Sequence, residues 1–242
     1  MSDAPGFADS LRSAGASATL RGLWVTFLSP FGLEVASGSG ADWIGVDLQH
    51  GDLDLAQLAP LLRVAEVPVL ARLRSHDPAE ITRVIDAGVD GVIVPAVEDA
   101  AQAERLVAAA HLPPRGRRSG GLSRAGLVGT STQPLLLPMV ETRLGLEAAD
   151  EIAATPGIDG LFVGPYDLAL SLEEPVRSEK MLDAIRTASA AARRHGRLTG
   201  AFTGDRGLAA DLAERGVVLD LHAVDTDAAA LRSGLTALLE AR

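Results

Sequence analysis

Five polar side chains stand where apolar runs of this sequence stop. Asp47 and His50 close "WIGVDLQH", Arg72 ends "VPVLAR", Glu141 ends "LLLPMVE" and Asp167 ends "GLFVGPYD". Two carboxylates, in a chain without cysteine and without clustered histidines, suit a hard cation such as Mg²⁺ or Mn²⁺, which takes oxygen ligands and keeps some water. Such an ion chelates an adjacent ketone and carboxylate, the pair found in a 2-oxo acid. It then stabilises the enolate left when a bond to the next carbon breaks. An arginine adds a permanent charge beside the same oxygen. A histidine, with an ordinary pKa of about 6.5, moves a proton directly or through water. A Schiff-base route would instead need a lysine at a strand end. The one lysine, Lys180, lies in a helical stretch.

Each residue alone also has a plainer role. Glu141 or Asp167 suits a helix cap, Arg72 suits pairing with a neighbouring carboxylate, and His222 and Asp225 suit a turn and helix start. The chemical reading therefore depends on elements that bring these positions together. Strand-like runs fall at 22–28, 43–47, 67–72, 91–95, 135–141, 159–164, 197–202 and 217–221, with amphipathic helical stretches between them. Ser29-Pro30 offers a cap and a first-turn proline. "DPAE" at 77–80 offers a second start, and Gly88 ends the helix it opens. Eight β–α units with near-continuous apolar strands predict an α/β fold, a (β/α)8 TIM barrel in one domain. Residues 1–18 are expected to form an N-terminal segment with a short helix, and 19–242 the barrel. A doubly wound open sheet is the alternative, but no G-x-G-x-x-G follows the first strand. In a barrel, catalytic residues gather at the C-terminal strand ends. Beyond the β–α alternation, no internal repeat stands out. Residues 110–134 resist this scheme, forming a long unperiodic stretch that carries Arg115, Arg117, Arg118 and Arg124.

Composition narrows the partners. A formal net charge of −10 without a long basic run argues against nucleic acid. At 3% aromatic residues, stacking platforms for bases are poorly supplied. No apolar run reaches a membrane span, and the N-terminal residues lack a secretory pattern, so a cytoplasmic protein is the expectation.

The motifs "GLWVTFLSP", "VDLQHG", "ARLRSHDPAEITRVIDAGVDGVIVPAV", "PPRGRRSGG" and "MVETRLGLEAADEIAATPGIDGLFVGPYDLALSL" resemble the HpcH/HpaI class II pyruvate aldolases, from about residue 20 to the C-terminus. The resemblance implies a carbon–carbon lyase acting on 4-hydroxy-2-oxo acids, with pyruvate and an aldehyde as its small-molecule partners. The cofactor is a divalent metal (Mg²⁺, Mn²⁺ or Co²⁺). Position by position it implies Glu141 and Asp167 as metal ligands, Arg72 at the pyruvate carbonyl, and His50 as acid/base with Asp47 beside it. Asp86 matches a carboxylate reaching that histidine from a neighbouring subunit. Trp24, Gly164, Tyr166 and Asp167 are the expected substrate contacts, with the backbone at Tyr166 and Asp167 holding the pyruvate carboxylate. A trimer or hexamer is implied, with the C-terminal helix at 226–240 exchanged between subunits. The chain departs from well-known members at Gln49 (usually Glu), Met139 (usually Gln), Tyr166 (usually small) and His222 (more often small), which bears on substrate range more than reaction type. Two other readings stay open: a C–C lyase on CoA thioesters, and a non-catalytic barrel that binds a 2-oxo acid.

Overall fold

The computed structural model describes residues 6–14, 18–128, 133–204 and 206–240. Eight parallel strands close into one barrel in sequential order, β1 (Leu20–Val25), β2 (Trp43–Asp47), β3 (Val69–Arg72), β4 (Gly91–Val94), β5 (Leu135–Val140), β6 (Gly160–Val163), β7 (Leu198–Phe202) and β8 (Leu221–Thr226). Around them run α2 (Pro30–Ser37), α3 (Leu55–Val64), α4 (Pro78–Ala87), α5 (Ala100–Ala110), α6 (Arg124–Val128), α7 (Arg143–Glu147), α8 (Ala149–Ala154), α9 (Pro165–Leu172), α10 (Glu179–Arg194), α11 (Arg206–Glu214) and α12 (Asp227–Glu240). Ahead of them all lies α1 (Phe7–Ala14). This is the (β/α)8 barrel, and the doubly wound sheet is excluded by its closure.

The helix signals act as the sequence suggests. Ser29 Oγ accepts from the Gly32 N–H, and Pro30 opens α2. Asp77 accepts from the Ala79 N–H, while Gly88 ends α4 in the left-handed region at φ 97°, a conformation that costs a Cβ-bearing residue. One apolar cluster fills the layer between strands and helices. A second fills the barrel itself, with Trp24, Trp43, Leu70, Ile93, Leu137 and Phe162 at its centre. Trp24 and Trp43 fit because a glycine faces each: a Cβ on Gly45 would lie 2.4 Å from Trp24, and one on Gly22 would lie 2.3 Å from Trp43. The buried faces of Ala8 and Leu11 join this cluster, so α1 plugs the N-terminal end of the barrel.

The last strand departs from expectation. The apolar run 217–221 is not the strand, which begins at Leu221 and continues to Thr226. Val217 and Leu219 are buried in the outer layer instead, and Asp220 turns its carboxylate onto the Thr199 N–H at 2.7 Å. The same device recurs. Asp42, Asp90 and Asp159, each just before β2, β4 and β6, accept from the backbone N–H of Arg21, Val69 and Leu136 on the preceding strand. An aspartate thus braces the start of every second strand, an internal repeat that periodicity alone conceals.

The 110–134 stretch is tied down where it is described. Arg118 is buried, donating to the Ala110 carbonyl and to Asp86, and Arg124 donates to the carbonyls of Ala87 and Leu62. Two of its four arginines therefore fasten the loop to α3 and α4, while residues 129–132 lie outside the described residues.

Candidate active site

The C-terminal ends of the strands converge on a cavity of about 260 Å³. Its walls come from seven strand ends. Trp24 and Thr26 come from β1, Asp47 and His50 from β2, Arg72 from β3 and Met139 from β5. Gly164 to Asp167 follow β6, Phe202 ends β7, and Thr226 ends β8.

At its floor, Arg72 and Asp47 form a bidentate pair, with Nε to Oδ1 at 2.9 Å and Nη2 to Oδ2 at 2.5 Å. They sit opposite each other in the β2–β3 register, which is why the pair forms. Asp47 also accepts from the Trp24 indole N–H at 3.3 Å and from the backbone N–H groups of Gln49 and His50. Burial pushes the Asp47 carboxyl up, but the Arg72 hydrogen bonds and charge, with the two loop N–H groups, hold it below the usual carboxylate range. Arg72 also lies over the Trp24 ring, 5.4 Å from its centroid. Asp47 thus fixes Arg72 and the backbone of the loop carrying His50, not the imidazole itself. His50 is exposed at the rim.

Glu141 is buried at 6% exposure. Its Oε1 accepts from the Ala96 N–H at 2.7 Å, and Ala96 takes a positive φ of 47° just after β4, an uncommon conformation for a residue with a Cβ. Oε2 is buried and has no hydrogen-bond partner among the described residues. It faces Gly164, where a Cβ would come within 2.7 Å of it. Burial raises the Glu141 carboxyl above its ordinary range. The Ala96 N–H opposes this, nearby Asp167 adds to it, and Arg72 and His50 oppose it. Asp167 lies exposed in the first turn of α9. That helix starts at Gly164 with no side-chain cap and has proline first, so its first turn points backbone N–H groups towards the cavity side of the strand end. No group of three or more His, Cys, Asp or Glu side chains suited to a metal occurs among the described residues. A hard cation is commonly held by one or two carboxylates, with substrate and water completing its shell, and the orphaned Glu141 Oε2 beside Asp167 fits that pattern.

The remaining expected positions lie elsewhere. Asp86, expected to act from a neighbouring subunit, sits on the outer layer in α4, paired with Arg118 at 2.9 Å. His222 and Asp225 fall within β8 rather than at the mouth, because that strand starts later than its apolar run. His222 Nε2 meets Thr203 Oγ1 at 2.8 Å. The mouth residue of β8 is Thr226, and its neighbour Asp227 is buried, accepting from the N–H groups of Thr26, Phe27 and Leu28. Thr26, Phe202 and Thr226 were not singled out in the sequence. Only the position of Thr26 directly after "GLWV" marks it in advance.

A family model described as HpcH/HpaI aldolase/citrate lyase matches residues 20–230. The chain is 39% identical over 183 residues to a hydroxypyruvate/pyruvate aldolase from Roseovarius nubinhibens, covering 69% of this chain and 71% of that one. It is 33% identical over 200 residues to a protein of the same name from Rhizorhabdus wittichii, covering 77% and 80%. A crystal structure of an HpcH/HpaI aldolase/citrate lyase family protein from Burkholderia cenocepacia superposes with a TM-score of 0.86 at 31% identity, covering 96% and 97%. With the barrel, the strand-end site and these matches in agreement, the chain belongs to the HpcH/HpaI aldolase/citrate lyase family.

Proposed function

We infer that the protein is a divalent-metal-dependent aldolase that cleaves or forms 4-hydroxy-2-oxo acids, with pyruvate or a close 2-oxo acid and an aldehyde as its reaction partners. The observation that carries this reading is the buried Glu141 Oε2 without a partner among the described residues, close enough to Asp167, Arg72 and His50 to feel the charge of each. Glu141 and Asp167 would hold the ion. When bound, it supplies Lewis-acid polarisation of the 2-oxo group.

The chain's own residues do the rest. With Nε and Nη2 held by Asp47, the Arg72 guanidinium is fixed, and its charge meets the negative charge that develops on the 2-oxo oxygen. The N–H groups at the start of α9 bind the substrate carboxylate. His50, on the rim, takes the proton from the 4-hydroxyl in cleavage and returns it in synthesis. The apolar walls Trp24, Met139 and Phe202 keep water from the reacting carbon.

The test is pyruvate release from several 4-hydroxy-2-oxo acids with Mg²⁺, Mn²⁺ or Co²⁺, with malyl-CoA as a parallel substrate. We expect turnover that a chelator abolishes and that Glu141→Ala loses. His50→Ala should lose about 10²-fold or more in cleavage while calorimetry still shows metal binding. Chelator-resistant turnover would remove the metal from the reading, and metal binding lost with His50 would make that histidine a ligand instead.

The same reading extends to assembly. Leu231, Leu235, Leu238 and Leu239 of α12 are exposed, and Asp227 is the only buried residue of that helix among the described residues. A second copy of this chain, in a trimer or hexamer with exchanged C-terminal helices, would cover that apolar face.

A further inference from the structure

We propose that Tyr166, latched across the cavity mouth, sets the upper size limit of the electrophile. This rests on reading the charged floor as the 2-oxo acid site. The cavity has two levels. Of its lining residues, Asp47, Arg72 and Met139 are almost wholly buried, whereas Tyr166 is 40% exposed, so whatever Tyr166 limits is the outer occupant.

The tyrosine is fastened, not merely present. Its hydroxyl donates to the Thr203 carbonyl at 2.8 Å, which joins the first turn of α9 to the loop after β7. Thr203 is a firm anchor: it is fully buried, its N–H donates to the Ala223 carbonyl, and its Oγ1 meets His222. The ring stands 6.1 Å from Phe202, and Phe202 stands 5.6 Å from Trp24, making one aromatic wall from rim to floor. Gly204 completes the fit. It holds φ at +66°, and a Cβ there would lie 2.6 Å from the Tyr166 oxygen. The cavity volume, about 260 Å³, is just below the roughly 300–1,000 Å³ usual for small-molecule pockets. Space for a 2-oxo acid plus a short aldehyde remains, and a long chain would have to displace the ring.

The experiment measures kcat/KM for condensation of pyruvate with acetaldehyde and with hexanal in the Mg²⁺-loaded enzyme. Alongside it, calorimetry measures the Kd of 2-oxobutanoate and of 2-oxooctanoate, whose longer tail reaches the rim without any reaction. In Tyr166→Ala we expect the hexanal-to-acetaldehyde ratio to rise about tenfold or more, and the 2-oxooctanoate-to-2-oxobutanoate affinity ratio to rise with it. Tyr166→Phe, which keeps the ring and removes only the hydroxyl, should move both ratios the same way by a smaller factor. Ratios within twofold of wild type in Tyr166→Ala would overturn the proposal. Should no aldehyde condense with the wild type, the aldolase reading fails, and the affinity ratios alone decide whether Tyr166 sets the limit.

Discussion

Asp47 and Glu141 are both buried carboxylates at strand ends, and their surroundings push them in opposite directions. For Asp47 the partner outweighs burial, so its carboxyl lies low. A lowered folded value means that the stabilisation is present at neutral pH and is lost as pH falls through the folded value, below the usual carboxylate range. Asp47→Asn strands the Arg72 charge in a site where it is 8% exposed. The expected loss in urea unfolding at neutral pH is about 3–5 kcal/mol, shrinking as acid protonates the wild-type carboxyl. For Glu141 burial prevails, and its carboxyl lies high. The sign reverses: stability is full below the ordinary range and falls as pH rises through the raised value. Metal-free Glu141→Gln should therefore melt a few degrees above wild type in mildly alkaline buffer, with the gap closing in acid. Added Mg²⁺ at about 100 times Kd should raise the wild type by about 2.7 kcal/mol and leave the variant where it was, read by thermal unfolding with and without metal.

At the scale of elements, the four aspartates that precede β2, β4, β6 and β8 set where strands begin. Asp220 is the most buried of the four. Its carboxylate accepts from the Thr199 N–H and hydroxyl and pairs with Arg193 at 3.0 Å. Asp220→Ala leaves a buried N–H and a cation without their partner, and we expect a loss of about 2–4 kcal/mol. Its effect belongs to the N-terminal face, where a barrel's residues serve stability, so kcat of the folded fraction should not change. Asp220 also marks where the apolar run 217–221 gives way to β8, which starts at Leu221. An apolar run reports burial, and 217–219 is buried against helices rather than paired in the sheet.

At the scale of the molecule, α12 leaves the barrel with its leucines facing outward. Under the proposed helix exchange, paired Leu235→Glu and Leu238→Glu substitutions should shift light-scattering mass from trimer or hexamer towards monomer. A wild type that runs as a monomer would remove the exchanged-helix reading. Such a face suits association in a chain whose net charge of −10 otherwise favours dispersal.

The sequence by itself determined the alternation of eight strands with helices, the caps at Ser29, Asp77 and Gly88, and the strand-end positions of Asp47, Arg72, Glu141 and Asp167. These follow from short-range patterns: apolar periodicity, turn chemistry and the abrupt arrival of charge. Tertiary structure alone decided that Asp47 grips Arg72 rather than the His50 ring, because that depends on β2–β3 register. It alone revealed the orphaned Glu141 oxygen facing Gly164, the brace repeat at the barrel's base and the Tyr166–Thr203 latch. Each of these joins residues distant in sequence, and only closure of the barrel sets their separation.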